Sequence, residues 1–300
     1  MRIGVDLGGT KIEIIALDAG GATLLRRRVA TPSGDYAGTV NTIVDLVRAV
    51  EAELGRRGTI GIATPGAVSL RTGLMKNCNS TALNGQPLER ELAERLGRPV
   101  RLANDANCFA LSEAVDGAGA GADVVFGVIL GTGVGGGIAI GRRALAGRNR
   151  VAGEWGHNPL PWPTDDERPG PPCYCGKAGC VETFLSGAGL SRAYRMQTGD
   201  RLTAEEIATA AAASDVRALA CIDLYRDRLA RALATVIDIV DPDVVVLGGG
   251  LSNIAALYAG LPELAGRYAF SDGIDTPIVP AMHGDSSGVR GAAWLWPAQD

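Results

Sequence analysis

A glycine turn set between two strand-like runs constrains this chain more than any other feature. Arg2-Ile3-Gly4-Val5-Asp6-Leu7 leads straight into Gly8-Gly9-Thr10-Lys11, and Ile12-Glu13-Ile14-Ile15-Ala16-Leu17 follows at once. Glycines before Thr-Lys suggest a phosphate cradle, yet a P-loop needs G-x-x-x-x-G-K-[ST] and opens a helix. Here the order differs and the next segment reads as a strand. The layout returns at residues 125–141, "VFGVILGTGVGGGIAIG". Residues 3–8 line up with 126–131 and 15–17 with 138–140, with Ile129 in the place of Asp6. A repeated strand–turn–strand predicts two duplicated halves with the acidic group kept in one; chance similarity between glycine-rich hairpins is the other reading.

Between and beyond the hairpins, strands alternate with helices. A third strand is expected over 22–30, then a helix ending at Gly58, a strand running into Pro65-Gly66, a helix over 88–97, a strand ending at Asn104-Asp105, and a helix after it. Residues 187–240 read mostly as helices stopped by Asp241-Pro242, and "DVVVLGGGLSN" as a buried strand entering three glycines. "GDSSGVRGAAWLW" reads as a turn and a helix. This alternation is the α/β class. The chain's 300 residues leave room for two domains, and its net charge of −4 argues against a nucleic-acid surface. No apolar run nears the ~18 residues a membrane span needs. Asp6 and the glycines interrupt any signal-peptide core, so a cytoplasmic protein with reduced thiols is expected.

Three glycine turns follow Val/Ile-rich strands: Gly8-Gly9-Thr10, Gly131-Thr132-Gly133 and Gly248-Gly249-Gly250. Each alone could serve only its hairpin, because tight turns need positive φ. Together they could offer backbone N–H nests to one polyphosphate, with no Cβ in the way. "GTGVGG" matches G-x-G-x-x-G, but a dinucleotide fingerprint would open a helix, and this one opens an apolar run. Asn104-Asp105, between strand and helix, is either an N-cap or a general base whose ionised form the helix terminus favours. Cys173-x-Cys175-x4-Cys180 points to a metal more than to disulfides, with buried free thiols as the alternative. Cys78, Cys108 and Cys221 lack such grouping.

"DLGGTK", "LGTGVGGG" and "VVLGGG" resemble the phosphate-1, phosphate-2 and adenosine segments of the actin-like sugar-kinase superfamily. With the cysteine cluster and "EWGH", the chain resembles the ROK family of bacterial sugar kinases, from residue 3 to the C-terminus. "LNGQPL", "RLANDANC", "AGEWGHNPLPW", "CYCGKAGC" and "HGDSSGVRGAAWLWP" look most like a ROK fructokinase/mannokinase. The resemblance implies an actin-like ATPase fold of two duplicated RNase H-like α/β domains with a cleft. It places the first domain at 1–120 with return of the C-terminal helix at about 285–300, and the second at 121–284 with a zinc knuckle at 157–180.

The implied activity is ATP-dependent phosphorylation of a free hexose, fructose before mannose, to the 6-phosphate. Asp105 would be the general base. Gly66, Thr81, Asn84, Asn104, Glu154, His157 and Glu182 would join it in holding the sugar. Gly4, Asp6, Gly8, Gly9, Thr10, Lys11, Gly131, Thr132, Gly133, Gly135, Gly136, Gly249 and Gly250 would hold ATP, with Asp6 on Mg²⁺ through water. Alternation along the second strand could instead point Lys11 to solvent. His157, Cys173, Cys175 and Cys180 would close a structural zinc set, leaving no open position. A homodimer is expected, and no nucleic-acid or membrane partner. Glucokinase and N-acetylhexosamine kinase are the rivals within the family. A sugar-sensing ROK repressor is the rival from another functional class, set aside because the hairpin at residue 3 leaves no room for an N-terminal helix-turn-helix.

Overall fold

A computed structural model describes residues 1–284 and 287–297. The chain divides into two compact units, 1–121 with 137–152 and 285–300, and 122–136 with 153–284. Segment 137–152, placed in the second domain from sequence, groups with the first unit. Of the expected C-terminal return, residues 285, 286 and 298–300 lie outside the described residues.

Twelve strands are described. In the first unit these are β1 (Arg2–Leu7), β2 (Lys11–Leu17), β3 (Thr23–Ala30), β4 (Thr59–Thr64), β5 (Ala67–Val68), β6 (Met75–Lys76) and β7 (Val100–Asn104). They form a five-stranded sheet in the order β3-β2-β1-β4-β7 and a small β5-β6 ladder. β1 pairs antiparallel with β2 and parallel with β4, so the N-terminal hairpin feeds a parallel core. The helix Tyr36–Leu54 buries Val40, Ile43, Val47 and Val50, the helical spacing of its apolar stripe, against Ile3, Val5, Ile12 and Ile14. Asp35 caps its start by accepting from the Gly38 N–H, and Gly55, at φ 63°, ends it three residues before the expected Gly58.

On the opposite side of the sheet lie the helices Asp105–Asp116 and Ser287–Ala293. Their approach rests on three absent side chains. A Cβ on Gly4 would stand 2.1 Å from the Val289 carbonyl oxygen, one on Gly61 1.8 Å from that of Ala292, and one on Gly291 1.6 Å from that of Cys108. All three neighbours are backbone atoms, so nothing can swing aside. Gly291→Ala is therefore expected to destabilise the protein by about 1–3 kcal/mol, the usual cost of overpacking. Thermal melting of the variant checks this, and an unchanged midpoint would refute it.

The second sheet holds β8 (Val124–Leu130), β9 (Val134–Ile140), β10 (Arg143–Ala144), β11 (Val244–Gly248) and β12 (Ile278–Pro280), in the order β10-β9-β8-β11-β12. β11 runs parallel to both β8 and β12. In the second unit the helix Val216–Val240 buries Ile222, Tyr225, Leu229, Leu233 and Ile237. Asp241, in the left-handed region at φ 46°, ends it before Pro242. Its Arg231, with Arg228, clamps the buried Glu167 carboxylate. Burial alone would raise the Glu167 pKa, but those hydrogen bonds hold it down at about 2. The clamp fastens the irregular segment 159–168 to the helix, because Arg231 also donates to the carbonyls of Pro161 and Trp162. No helix among the described residues is long and apolar enough to cross a membrane.

Candidate functional site

In the first unit, β1 delivers Asp6 to its C-terminal end and the chain turns back through Gly8, Gly9 and Thr10. The Gly8 N–H donates to the Lys11 carbonyl at 3.1 Å, and the Thr31 hydroxyl donates to the Gly8 carbonyl at 2.8 Å, which fixes the turn from outside. Gly8, Gly9 and Thr10 line a 460 Å³ pocket with Thr31, Ser80 and Thr81. Lys11 is exposed at the start of β2. Asp6 sits opposite Glu13 in the β1–β2 register. Burial first, then the charges of Asp105 and Glu13, push the Asp6 carboxyl up to about 7. A divalent cation beside Asp6 would favour its ionised form against that burial and those charges, so this carboxylate fits Mg²⁺.

Of the two sequence readings of Asn104-Asp105, the hydrogen bonds display the cap. The Asn104 side chain caps the helix Asp105–Asp116 by accepting from the Ala106 N–H at 2.9 Å, and Asp105 Oδ1 accepts from the same N–H at 2.8 Å. Asp105 stays exposed at the helix terminus, and its charge reaches Asp6.

Other residues singled out from sequence are engaged in packing. Gly4 admits the C-terminal helix, as described above. A Cβ on Gly66 would meet the Lys76 carbonyl oxygen at 2.4 Å. The Asn84 amide spans the 78–84 loop, accepting from the Cys78 N–H and donating to the Cys78 carbonyl, each at 2.9 Å.

In the second unit two of the glycine turns meet. A Cβ on Gly249, at φ 81°, would lie 2.4 Å from the Leu130 carbonyl oxygen, directly before Gly131. Gly250 opens a short 3-10 turn with free space where a Cβ would stand. Thr132 is exposed. Gly135 and Gly136 lie against Trp155: its indole N–H donates to the Gly135 carbonyl at 3.0 Å, and a Cβ on Gly136 would meet the ring at 2.5 Å.

Glu182 links this turn region to the cysteine cluster. Its carboxylate accepts from the Val134 N–H at 3.0 Å, and a Cβ on Gly133 would stand 2.6 Å from it. Two residues earlier is Cys180. The ligand atoms of His157, Cys173, Cys175 and Cys180 all lie within 4.8 Å of one another. Cys175 and Cys180 sulfurs are 3.6 Å apart, as are the Cys173 sulfur and His157 Nδ1. That is too long for a disulfide. Two thiolates about 2.3 Å from one tetrahedral ion would be separated by ~3.8 Å, so the donor set fits zinc. His157 Nε2 meets the Tyr174 hydroxyl at 2.9 Å, which orients the ring with Nδ1 toward the sulfurs. Glu154 is exposed one residue before the 3-10 turn Trp155–His157, which carries the histidine.

Trp155, Tyr174 and Glu13 were not singled out from sequence. Tyr174 carried a signal, lying between two of the clustered cysteines; Glu13 carried none, because a lone Glu in a strand reads as a solvated face.

The ROK family profile matches residues 2–299. The N-acetyl-D-glucosamine kinase of Vibrio cholerae is 42% identical over 299 residues, covering 98% of this chain and 99% of that protein. The ROK hexokinase of Thermus thermophilus superposes with a TM-score of 0.86 at 33% identity, covering 98% of this chain and 97% of that one. A ROK family glucokinase from Streptomyces griseus, solved with glucose and AMPPNP, gives a TM-score of 0.79 at 30% identity, covering 98% of each chain.

These likenesses overturn the fructokinase/mannokinase reading. The full-length relatives at about 40% identity are N-acetyl-D-glucosamine kinases. The physical reason is that the quoted segments build turns, caps and packing. Gly66 and Asn84, taken as sugar contacts, hold backbone in place, and such residues do not report which hydroxyl a sugar turns. What the profile, the relatives and the two sheets agree on is coarser than the sugar: the chain belongs to the ROK family of sugar kinases and has their actin-like α/β fold.

Proposed function

We propose that this chain transfers the γ-phosphoryl group of ATP to the 6-hydroxyl of N-acetyl-D-glucosamine. The observation that carries this reading is full-length identity of 42% to an N-acetyl-D-glucosamine kinase. Asp105 accepts the proton of the attacking hydroxyl as the new O–P bond forms and ADP departs. The glycine turns present backbone N–H groups to the phosphates, and the helix terminus favours negative charge where Asp105 stands. Asp6 would hold Mg²⁺, which would supply charge neutralisation to the phosphates. Asn104, Glu154, His157 and Glu182 orient sugar hydroxyls. His157, Cys173, Cys175 and Cys180 would hold zinc, which would be structural and would fix that wall. An ADP-release assay over N-acetylglucosamine, N-acetylmannosamine, glucose, fructose and mannose tests the assignment. N-acetylglucosamine is expected to give kcat/KM at least ~10-fold above the others, about 1.4 kcal/mol of discrimination. A higher value for any other sugar would overturn it.

Asp6 carries a prediction of its own. Its carboxyl is raised from 3.8 to about 7, so the folded state holds a proton that the unfolded chain releases between those values. Stability is therefore lost as pH rises through that window, and the full penalty applies above it. Measured without Mg²⁺ or nucleotide, Asp6→Asn should be more stable than the wild type at pH 8, by up to about 4 kcal/mol, with the difference all but gone below pH 4. The same variant should need more Mg²⁺ for turnover. A pH-independent difference would remove the electrostatic account.

A further inference from the structure

A further cavity lies at the other end of the first unit's sheet. It occupies about 770 Å³ beside the start of β1, the β2–β3 turn, the start of β7 and the residues after the C-terminal helix. Arg2 lines it while Asp6 sits four residues along the same strand, ~13 Å away at strand rise. Arg101 likewise lines it at the start of β7, and Asn104 ends that strand. The cavity is thus separate from the pocket of the first glycine turn.

Its chemistry is strongly one-sided. Arg2, Arg101, Arg142 and Arg143 line it, against one carboxylate, Asp116. That carboxylate is already engaged, ion-paired with Arg290 and accepting from the Trp294 indole N–H at 3.2 Å. Two of the guanidinium groups are stacked on indoles. Arg2 Cζ lies 4.8 Å from the Trp294 ring centroid, and Arg101 Cζ 4.2 Å from that of Trp296. Arg101 is further tied to the Leu295 carbonyl at 2.7 Å, and Arg142 to that of Val115 at 3.1 Å. Arg2 Nε is buried and has no hydrogen-bond partner among the described residues. Held guanidinium forks lose little freedom on meeting an anion, and their geometry matches phosphate oxygens. Leu111, Val115 and the indole edges add an apolar wall for an organic body.

From this geometry we infer a second ligand site, one that binds a small organic phosphate monoester away from the transferring phosphoryl group. A concave volume of this size suits a small molecule, not an extended polymer. The helix Asp105–Asp116 runs from Asp105 at one end to Val115 and Asp116 at the cavity wall, so occupancy touches the element that carries Asp105. The inference rests on the cavity alone and stands whichever sugar is the substrate.

The test is calorimetric titration of the full chain with inorganic phosphate, glucose 6-phosphate and AMP. Arg101→Gln/Arg143→Gln is titrated alongside, with Arg143→Gln alone as the milder variant. Melting curves confirm that each is folded. At least one probe should bind the wild type with Kd below ~1 mM. The double variant should weaken that binding at least ~10-fold, since each lost charged hydrogen bond is worth more than that factor. Tighter AMP than glucose 6-phosphate identifies a nucleotide ligand, the reverse order a sugar phosphate. Equal affinity of all three identifies phosphate itself and overturns the organic-ligand claim. No binding in this range overturns the inference. So does binding that both variants leave unchanged, because the probe is then seated elsewhere, in the catalytic site included.

Discussion

Asp105→Asn is expected to lower turnover by about 10²–10⁴-fold while sugar affinity changes little. The substitution keeps the size of the side chain and one acceptor oxygen but removes the capacity to take a proton. Helix integrity does not confound the experiment. Asn104 accepts from the Ala106 N–H at 2.9 Å, so the cap survives whatever stands at 105. Loss of the Asp105 charge also removes one of the causes that raise the Asp6 pKa, after burial the largest of them. Asp6 in the variant should therefore ionise at lower pH, and Mg²⁺–nucleotide affinity should hold or improve. Single-turnover rates and separate titrations with sugar and nucleotide read these effects apart. Near-normal turnover would mean that Asp105 serves only the helix terminus, and the proposed mechanism would lose its base.

Cys175→Ser should lose the metal and with it most sugar affinity. Cys175 is the exposed member of the cluster, so the substitution leaves no buried cavity and acts through ligation. His157 would no longer be pinned between the metal and Tyr174, and Glu182 follows Cys180 on the same short helix, Val181–Leu185. The second glycine turn is tied to the segment that follows this knuckle, because the Glu182 carboxylate accepts from the Val134 N–H and the Gly187 N–H donates to the Gly131 carbonyl at 2.8 Å. The expected result is accordingly graded. Sugar affinity should fall at least ~10-fold, and nucleotide affinity by a smaller, measurable factor. Some loss of stability should accompany both, since structural zinc contributes folding energy. Elemental analysis of the wild type comes first: a protein without zinc would end the idea. A variant whose sugar affinity is intact after metal loss would confine zinc to stability.

Local sequence determined the features that depend on neighbours in the chain. The β1–β2 hairpin follows from two Ile/Val-rich runs around Gly8-Gly9. The helix Tyr36–Leu54 follows from an apolar stripe, an Asp cap and a terminal glycine. The cysteine cluster follows from tight spacing, with Gly176 at φ 87° and Gly179 at φ 72° allowing the chain to fold back on itself. Tertiary structure decided what depends on residues far apart in the chain. Gly4 looked like part of a phosphate loop, and only the C-terminal helix, almost three hundred residues away, shows that its missing Cβ is filled by Val289. Glu13 is 2% exposed, salt-bridged to Arg26 and Arg28 and set opposite Asp6, partners that no local pattern marks. The Arg2, Arg101 and Arg142 side chains are scattered in sequence and meet only because strand starts and helix ends gather at one edge of the sheet. Spacing reports periodicity and turns, whereas burial and electrostatics sum over every neighbour that folding brings near. That is also why the sugar escaped the sequence motifs: they encode the backbone that holds a substrate, and selectivity lies in where side chains converge.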